Sequence, residues 1–275
     1  MTGLFHFRAM PLWLLLLSVA GSTQAAIWAN NEIHLQYGEL DVPFTGGAER
    51  DTFIITFQHA SGWKYGDNFF FIDHLNFSKS GDAGGEDGDE FYGEWYSNFS
   101  LGTISGKNLK FGPVKDIGLI AGFNFAPAVD SLWYLPGIRL ALDLPGFAFA
   151  NLDTTAYFHE GDGFIKDEDD GYMVDFNWGY PFKIGSWNFS FEGHIEYIDR
   201  DGQTLDLFED GSVIVDTELD AWVLAQPQLR LDVGEQLYGT ANELFIGIEY
   251  QYWNNKLGDS DTDESAVQAL LVWRF

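Results

Sequence analysis

Three groups of residues have the types and spacing for chemistry. Glu192, His194 and Glu196 stand at i, i+2 and i+4. On an extended strand that spacing turns one imidazole and two carboxylates to the same face, the donor types a divalent metal takes. With no second His nearby in sequence and water open to each group, a solvated triplet is the simpler reading, and no metal site is expected. Asp259, Asp261 and Asp263 follow the opening of a calcium loop, but the position that needs Gly is Glu264, so no dedicated calcium site is expected either. His159 beside Glu160 and Asp162 carries general-base chemistry. No nucleophile motif such as G-x-S-x-G accompanies it, so the chain reads as a non-enzyme with no catalytic residue and no cofactor.

The elements that must carry these groups are strands. Trp187, Phe189, Phe191, Ile195 and Tyr197 alternate with Asn188, Ser190, Glu192, His194 and Glu196, a period of two between an apolar and a polar environment. Tyr172, Val174, Phe176, Trp178 and Tyr180 do the same against Asp175 and Asn177. So do Leu244, Ile246, Ile248, Tyr250 and Tyr252 against Glu243, Glu249 and Gln251. The pattern predicts strands over 27–37, 51–60, 65–78, 90–101, 115–126, 133–145, 147–159, 171–181, 186–199, 218–231, 242–254 and 264–275. Most reach the roughly 9 to 11 residues a tilted strand needs to cross a bilayer, and no segment after the N-terminal one offers the roughly 20 apolar residues of a spanning helix. The fold expected is all-β: a transmembrane antiparallel barrel of twelve strands with both termini periplasmic.

The connections alternate as such a barrel requires. The external set would be 38–50, 79–89, 127–132, 160–170, 200–217 and 255–263. The periplasmic set would be 61–64, 102–114, 145–146, 182–185 and 232–241. Two periplasmic connections, 102–114 and 232–241, are longer than tight turns and leave ten or fourteen strands open as counts.

Compartment is read from the start of the chain. Arg8 gives a positive segment, Met10 to Ala20 an apolar one, and Thr23-Gln24-Ala25 a small-residue cleavage site, so residues 1–25 are expected to be a removed signal peptide and 26–275 one barrel domain. Removing residues 1–25 takes away Arg8 and no acid, leaving 13 basic residues against 42 acidic ones, a net charge of −29. That balance excludes nucleic acid as a partner. The 46% hydrophobic and 17% aromatic content excludes disorder, and the absence of cysteine excludes disulfides and thiolate metal sites. The location expected is a Gram-negative outer membrane. Lipid and lipopolysaccharide would be neighbours, and acidic loops could attract divalent cations or be exploited by phage.

If the aromatic face meets lipid, the other face lines the lumen. It carries Tyr92, Glu94, Tyr96, Trp133, Arg139, Asp143, Asp153, Tyr157, His159, Asp175, Glu192, His194, Glu196, Asp220, Trp222, Arg230 and Glu249. Rings that stack on a nucleobase and carboxylates that accept from ribose hydroxyls favour small polar, nucleoside-like solutes. Inward rings also fill a narrow barrel, and Arg139 and Arg230, two cations among so many acids, are expected to brace the barrel by charge pairing more than to contact solute. The excess of carboxylates disfavours anion passage. The alternatives are a general cation-preferring porin, or a surface receptor or structural barrel.

The stretch Leu109-Lys110-Phe111-Gly112-Pro113-Val114-Lys115-Asp116 resembles the L-x-F-G-P-x-K-[DE] segment of the Tsx family of nucleoside-specific outer-membrane channels. Asp51-Thr52-Phe53, Asp170-Gly171-Tyr172 and an aromatic last strand ending at Phe275 extend the resemblance over nearly the whole chain after the signal segment. The loops here are shorter and more acidic. The resemblance implies a twelve-stranded channel that carries nucleosides.

Overall fold

A computed structural model describes residues 26–77, 88–160, 171–200, 204–209 and 212–275. The strands are β1 Trp28–Val42, β2 Ala48–Trp63, β3 Gly66–Phe77, β4 Gly88–Ser100, β5 Val114–Ala126, β6 Ser131–Leu142, β7 Phe149–Glu160, β8 Gly171–Ile184 and β9 Trp187–Asp199. They continue as β10 Thr204–Glu209, β11 Ser212–Glu218, β12 Trp222–Ala225, β13 Gln228–Asp232, β14 Leu244–Asn254 and β15 Glu264–Arg274. Each of β1 to β9 pairs with its neighbour in sequence, and β15 returns antiparallel to β1 from Glu32↔Arg274 to Tyr37↔Ala269, so the sheet closes.

Both β12 and β13 lie between β9 and β14. They are two halves of one strand, and the barrel has the twelve strands expected. The expected tenth strand over 218–231 starts later and is interrupted, because Pro227 has no N–H for the ladder. Neighbouring bonds bridge the gap: Gln226 N donates to His194 O at 3.0 Å and Tyr250 N to Pro227 O at 3.0 Å. Across the gap Gly193 takes φ +149°, and a Cβ there would come within 2.3 Å of the Gln226 carbonyl oxygen. Only glycine fits that approach.

The segment expected as a plain loop, 200–217, contains the β10–β11 hairpin, a two-stranded sheet outside the barrel ladder. The two long connections contain short helices, α1 Leu101–Ser105 and α2 Gly234–Tyr238, which account for their length without adding strands. Ser100 Oγ caps α1 by accepting from Thr103 N at 3.1 Å. None of the helices described is long and apolar enough to cross a membrane.

Burial is inverted relative to a water-soluble protein. Gln268, Glu264, Asn124 and Asp232 are fully enclosed, whereas Ile55, Ile72, Ile138, Ile246, Ile248 and Leu271 lie open on the outer wall. Phe57, Phe70, Trp95 and Phe123 form a row across β2 to β5, with ring centroids 5.8, 4.8 and 6.4 Å apart, the last three rings stacked and the first tilted. An apolar, ring-rich outside around a polar inside is the arrangement that lipid favours, since each backbone group is paired within the closed sheet.

Candidate solute-binding lumen

Alternation along the strands sorts the interior into three tiers. The termini end is the one that carries Trp28 and Arg274; the loop end is opposite. At the loop end, Trp133, Leu135, Tyr157, Met173, Ile198, Trp222, Leu224 and Trp253 form one buried cluster, with Tyr96 packed against it. Trp133 lies 6.0 Å from Tyr157 and 5.5 Å from the His159 ring, centroid to centroid. The Arg200 guanidinium, continuing the inward face of β9, sits 5.5, 5.8 and 6.0 Å from the rings of Tyr157, Trp222 and Trp133. The indole N–H groups of Trp133, Trp222 and Trp253 are buried and meet no acceptor among the described residues.

The waist is polar. Tyr92 donates to Glu94 at 2.5 Å, Asn124 Nδ2 donates to Glu94 at 3.2 Å, and Tyr96 donates to Asn124 Oδ1 at 3.0 Å. A Cβ on Gly122 would stand 2.6 Å from the Tyr96 ring, so glycine on the wall of β5 lets that ring lie flat across it. Glu249 accepts from Gln268 at 3.0 Å and from Gln228. His194 Nδ1 lies 3.2 Å from Asp175 Oδ1 and 3.9 Å from Glu196.

At the termini end the groups are ionic and mutually satisfied. Glu32 accepts from Arg230 at 3.0 Å and Arg274 at 2.6 Å, and lies 2.7 Å from His34 Nε2. Arg230 also reaches Glu192 at 3.2 Å. Arg139 holds Asp153 through two nitrogens at 2.8 and 2.6 Å and Asp67 through a third at 2.9 Å. Each of these guanidiniums is a brace between strands.

The predicted lumen residues Tyr92, Glu94, Tyr96, Trp133, Arg139, Asp175, Glu192, His194, Glu196, Trp222, Arg230 and Glu249 all lie in this interior, together with Asp153, Tyr157 and His159. Asp143 and Asp220 do not. Both are exposed in connections, because β6 stops at Leu142 and β12 begins only at Trp222. His159 faces Ser131 Oγ at 3.2 Å while Glu160 is exposed, and Asp162 lies outside the described residues, as do Asp170 and residues 1–25.

The calcium-like loop has another use. The Asp259 carboxylate accepts from Phe44 N and Thr262 Oγ1 at 2.6 Å each and from Asp261 N at 3.1 Å, tying this loop to the β1–β2 connection. Beside it the Lys256 ammonium donates to Glu264 at 2.5 Å and to Asp41 O at 2.6 Å. Burial pulls Lys256 below the ordinary lysine range, opposed by the adjacent Glu264 carboxylate. Glu32, Arg200 and Trp253 were not among the predicted lumen residues. Continuing the inward parity of β9 and β14 by one or two steps would have found Arg200 and Trp253, and alternation along the strand expected over 27–37 sets Glu32 on one face with His34 and Gln36.

A closed antiparallel barrel with an apolar outer wall and a polar, ring-capped interior defines a membrane-spanning channel class. The family model described as "Nucleoside-specific channel-forming protein, Tsx" matches residues 28–272. The chain belongs to the Tsx family, and it is an outer-membrane channel for nucleosides and other small solutes rather than an enzyme. No curated protein matches it.

Among solved structures it is similar to CdiB from Acinetobacter baumannii at 8% identity and a TM-score of 0.37, covering 90% of this chain and 60% of that one. It is also similar to Salmonella typhi OmpF in complex with daunomycin, at 7% identity and a TM-score of 0.34, with 90% of this chain and 97% of that one covered. The transport unit of the autotransporter AIDA-I from Escherichia coli matches at 11% identity and a TM-score of 0.30, covering 94% and 92%.

Proposed function

We propose that the barrel gives facilitated, weakly selective passage to nucleosides through the loop-end cluster and the waist below it. The carrying observation is that Trp133, Trp222 and Trp253 hold buried indole donors that meet no acceptor among the described residues, directly above the acid-rich waist. A nucleobase brings a π-face for the rings and carbonyl acceptors for the indoles, and the ribose hydroxyls donate to carboxylates such as Glu94. A base seated there exchanges the ring contacts of Arg200 for stacking on the same rings.

In this reading residues 1–25 are removed on export, residues 26–275 form the single barrel domain, and the termini end faces the periplasm. The acidic loop end then faces lipopolysaccharide, whose like charge is relieved by bridging divalent cations. Phage would find the same loops.

The test is single-channel conductance of the refolded barrel in a planar bilayer, titrating adenosine or thymidine against a sugar of comparable size. Saturable block by the nucleosides alone, relieved in Trp133→Ala or Tyr96→Ala, is the expected result. Conductance without block would leave a general cation-preferring porin, and no conductance would point to a surface receptor or structural barrel.

A further inference from the structure

The sequence triplet Glu192, His194 and Glu196 is re-sorted by the fold. Glu192 turns to Arg230 at 3.2 Å and accepts from Ser190 Oγ at 2.6 Å, so it leaves the group. Asp175 takes its place, because the β8–β9 register sets Asp175 opposite Glu196. Asp175, His194 and Glu196 each offer one ligand atom, and these atoms all lie within 4.8 Å of one another. Donors bound about 2.0–2.2 Å from a zinc-sized ion stand roughly 3–3.5 Å apart, so small side-chain movements would complete the geometry.

An independent observation fixes which imidazole nitrogen is available. Glu264 can only accept, and it accepts from Gln251 Nε2 at 2.6 Å, which turns Gln251 Oε1 toward Gln226. Gln226 Nε2 donates to that oxygen at 3.1 Å, which turns Gln226 Oε1 toward His194 Nε2 at 3.0 Å. This chain of amides requires a proton on Nε2. In the neutral ring the Nδ1 lone pair is then aimed at two carboxylates, an arrangement that is repulsive until a cation enters between them.

A ligating histidine commonly donates its other N–H to an acceptor, the role Gln226 fills here, and Asn177 orients Asp175 by donating to its Oδ2 at 2.7 Å. Among the described residues no Lys or Arg pairs with Asp175 or Glu196. Among the described residues the ion-pair partner of the Glu196 carboxylate, on a residue 6% exposed, is His194 at 3.9 Å. The His194 side chain keeps 27% of its surface open, which gives an ion access.

We propose that Asp175, His194 and Glu196 form a divalent transition-metal site of the zinc type at the waist of the lumen, in which an ion narrows the passage. The site does not depend on which solute the channel carries. The alternative occupant of the same gap is a proton on Nδ1.

The test is titration of the folded, full-length mature barrel in detergent with Co2+ at pH 7, read by visible absorption and followed by Zn2+ displacement. One equivalent with a d–d band that Zn2+ abolishes is expected. At least tenfold weaker binding is expected in His194→Gln and Glu196→Gln, while Asp261→Asn in an exposed loop is unchanged. Micromolar Zn2+ should also lower single-channel conductance in the parent and not in His194→Gln. A folded parent with no band, or a band that survives both lumen substitutions, would overturn the site. If His194→Gln does not fold, Glu196→Gln, nearly isosteric and set against few contacts, decides between the outcomes.

Discussion

The two ends of the lumen are built on opposite principles. At the termini end, Glu32, Arg230, Arg274, Arg139 and Asp153 satisfy one another at 2.6–3.0 Å. Glu32 and Arg274 are also register partners across the β1–β15 seam, so this hub fastens the strands where the sheet closes. At the loop end, apolar rings pack around the Arg200 guanidinium, and three indole donors meet no acceptor among the described residues. Groups that hold a barrel shut saturate each other, whereas groups that recognise a passing solute must keep some capacity in reserve.

The sharpest way to break that comparison is Glu32→Gln. It would leave buried Arg230 and half-buried Arg274 without their shared carboxylate, and removing one partner of a buried ion pair such as Arg230–Glu32 costs about 3–5 kcal/mol. Urea unfolding of the refolded barrel should show the largest loss of stability of any substitution named here, with nucleoside block retained in the folded fraction. Arg139→Met should be nearly as severe, since it strands the buried Asp153 carboxylate. The double variant Arg139→Met/Asp153→Leu should recover more than half of that loss, because an apolar pair replaces the ions at little net cost. A double variant no better than the single one would mean that Arg139 does more than brace.

How far these tiers could be read in advance depended on strand parity. Alternation from Trp187 to Tyr197 identified β9 and its inward Glu192, His194 and Glu196, and the same period found the other barrel strands. Parity names the face but not the partner: nothing in the chain order showed that Asp175 rather than Glu192 would stand beside His194, because inter-strand register fixes that pairing. Asp143 and Asp220 were misplaced where strand ends slip by a residue or more, which moves a carboxylate from the lumen to a loop. Arg200 escaped notice by standing one residue beyond β9, although its parity continues that face. Charge composition gave the acidity of the interior and the bracing role of Arg139 and Arg230, but not the carboxylates they would hold, Asp67 and Asp153 for one and Glu32 and Glu192 for the other, which inter-strand register decides.

At the loop end a smaller change should separate recognition from packing. Trp133→Phe keeps a ring in the cluster and removes an indole N–H that has no acceptor among the described residues, so unfolding free energy should move by less than about 1 kcal/mol. If that donor meets a nucleobase carbonyl, half-block by thymidine should require roughly fivefold more solute, the equivalent of one neutral hydrogen bond of about 1 kcal/mol. Lost stability with unchanged block would place Trp133 with the braces instead.

The finest distinction concerns ion preference. Glu249 is buried and accepts from Gln228 and Gln268, with no Lys or Arg paired to it among the described residues, whereas Glu192 lies against Arg230. A carboxylate held by neutral amides keeps its field in the passage, and one matched by a guanidinium largely cancels. Reversal potentials in a KCl gradient should therefore show the cation-to-anion permeability ratio falling roughly twofold in Glu249→Gln, with a smaller change in Glu192→Gln. The contrast should survive 1 M salt, where the screening length of about 3 Å silences exposed loop charges more than buried ones. Equal changes in the two variants would mean that permeating ions meet the hub and the waist alike, and the division between a self-paired ionic end and an unsaturated selective region would fail.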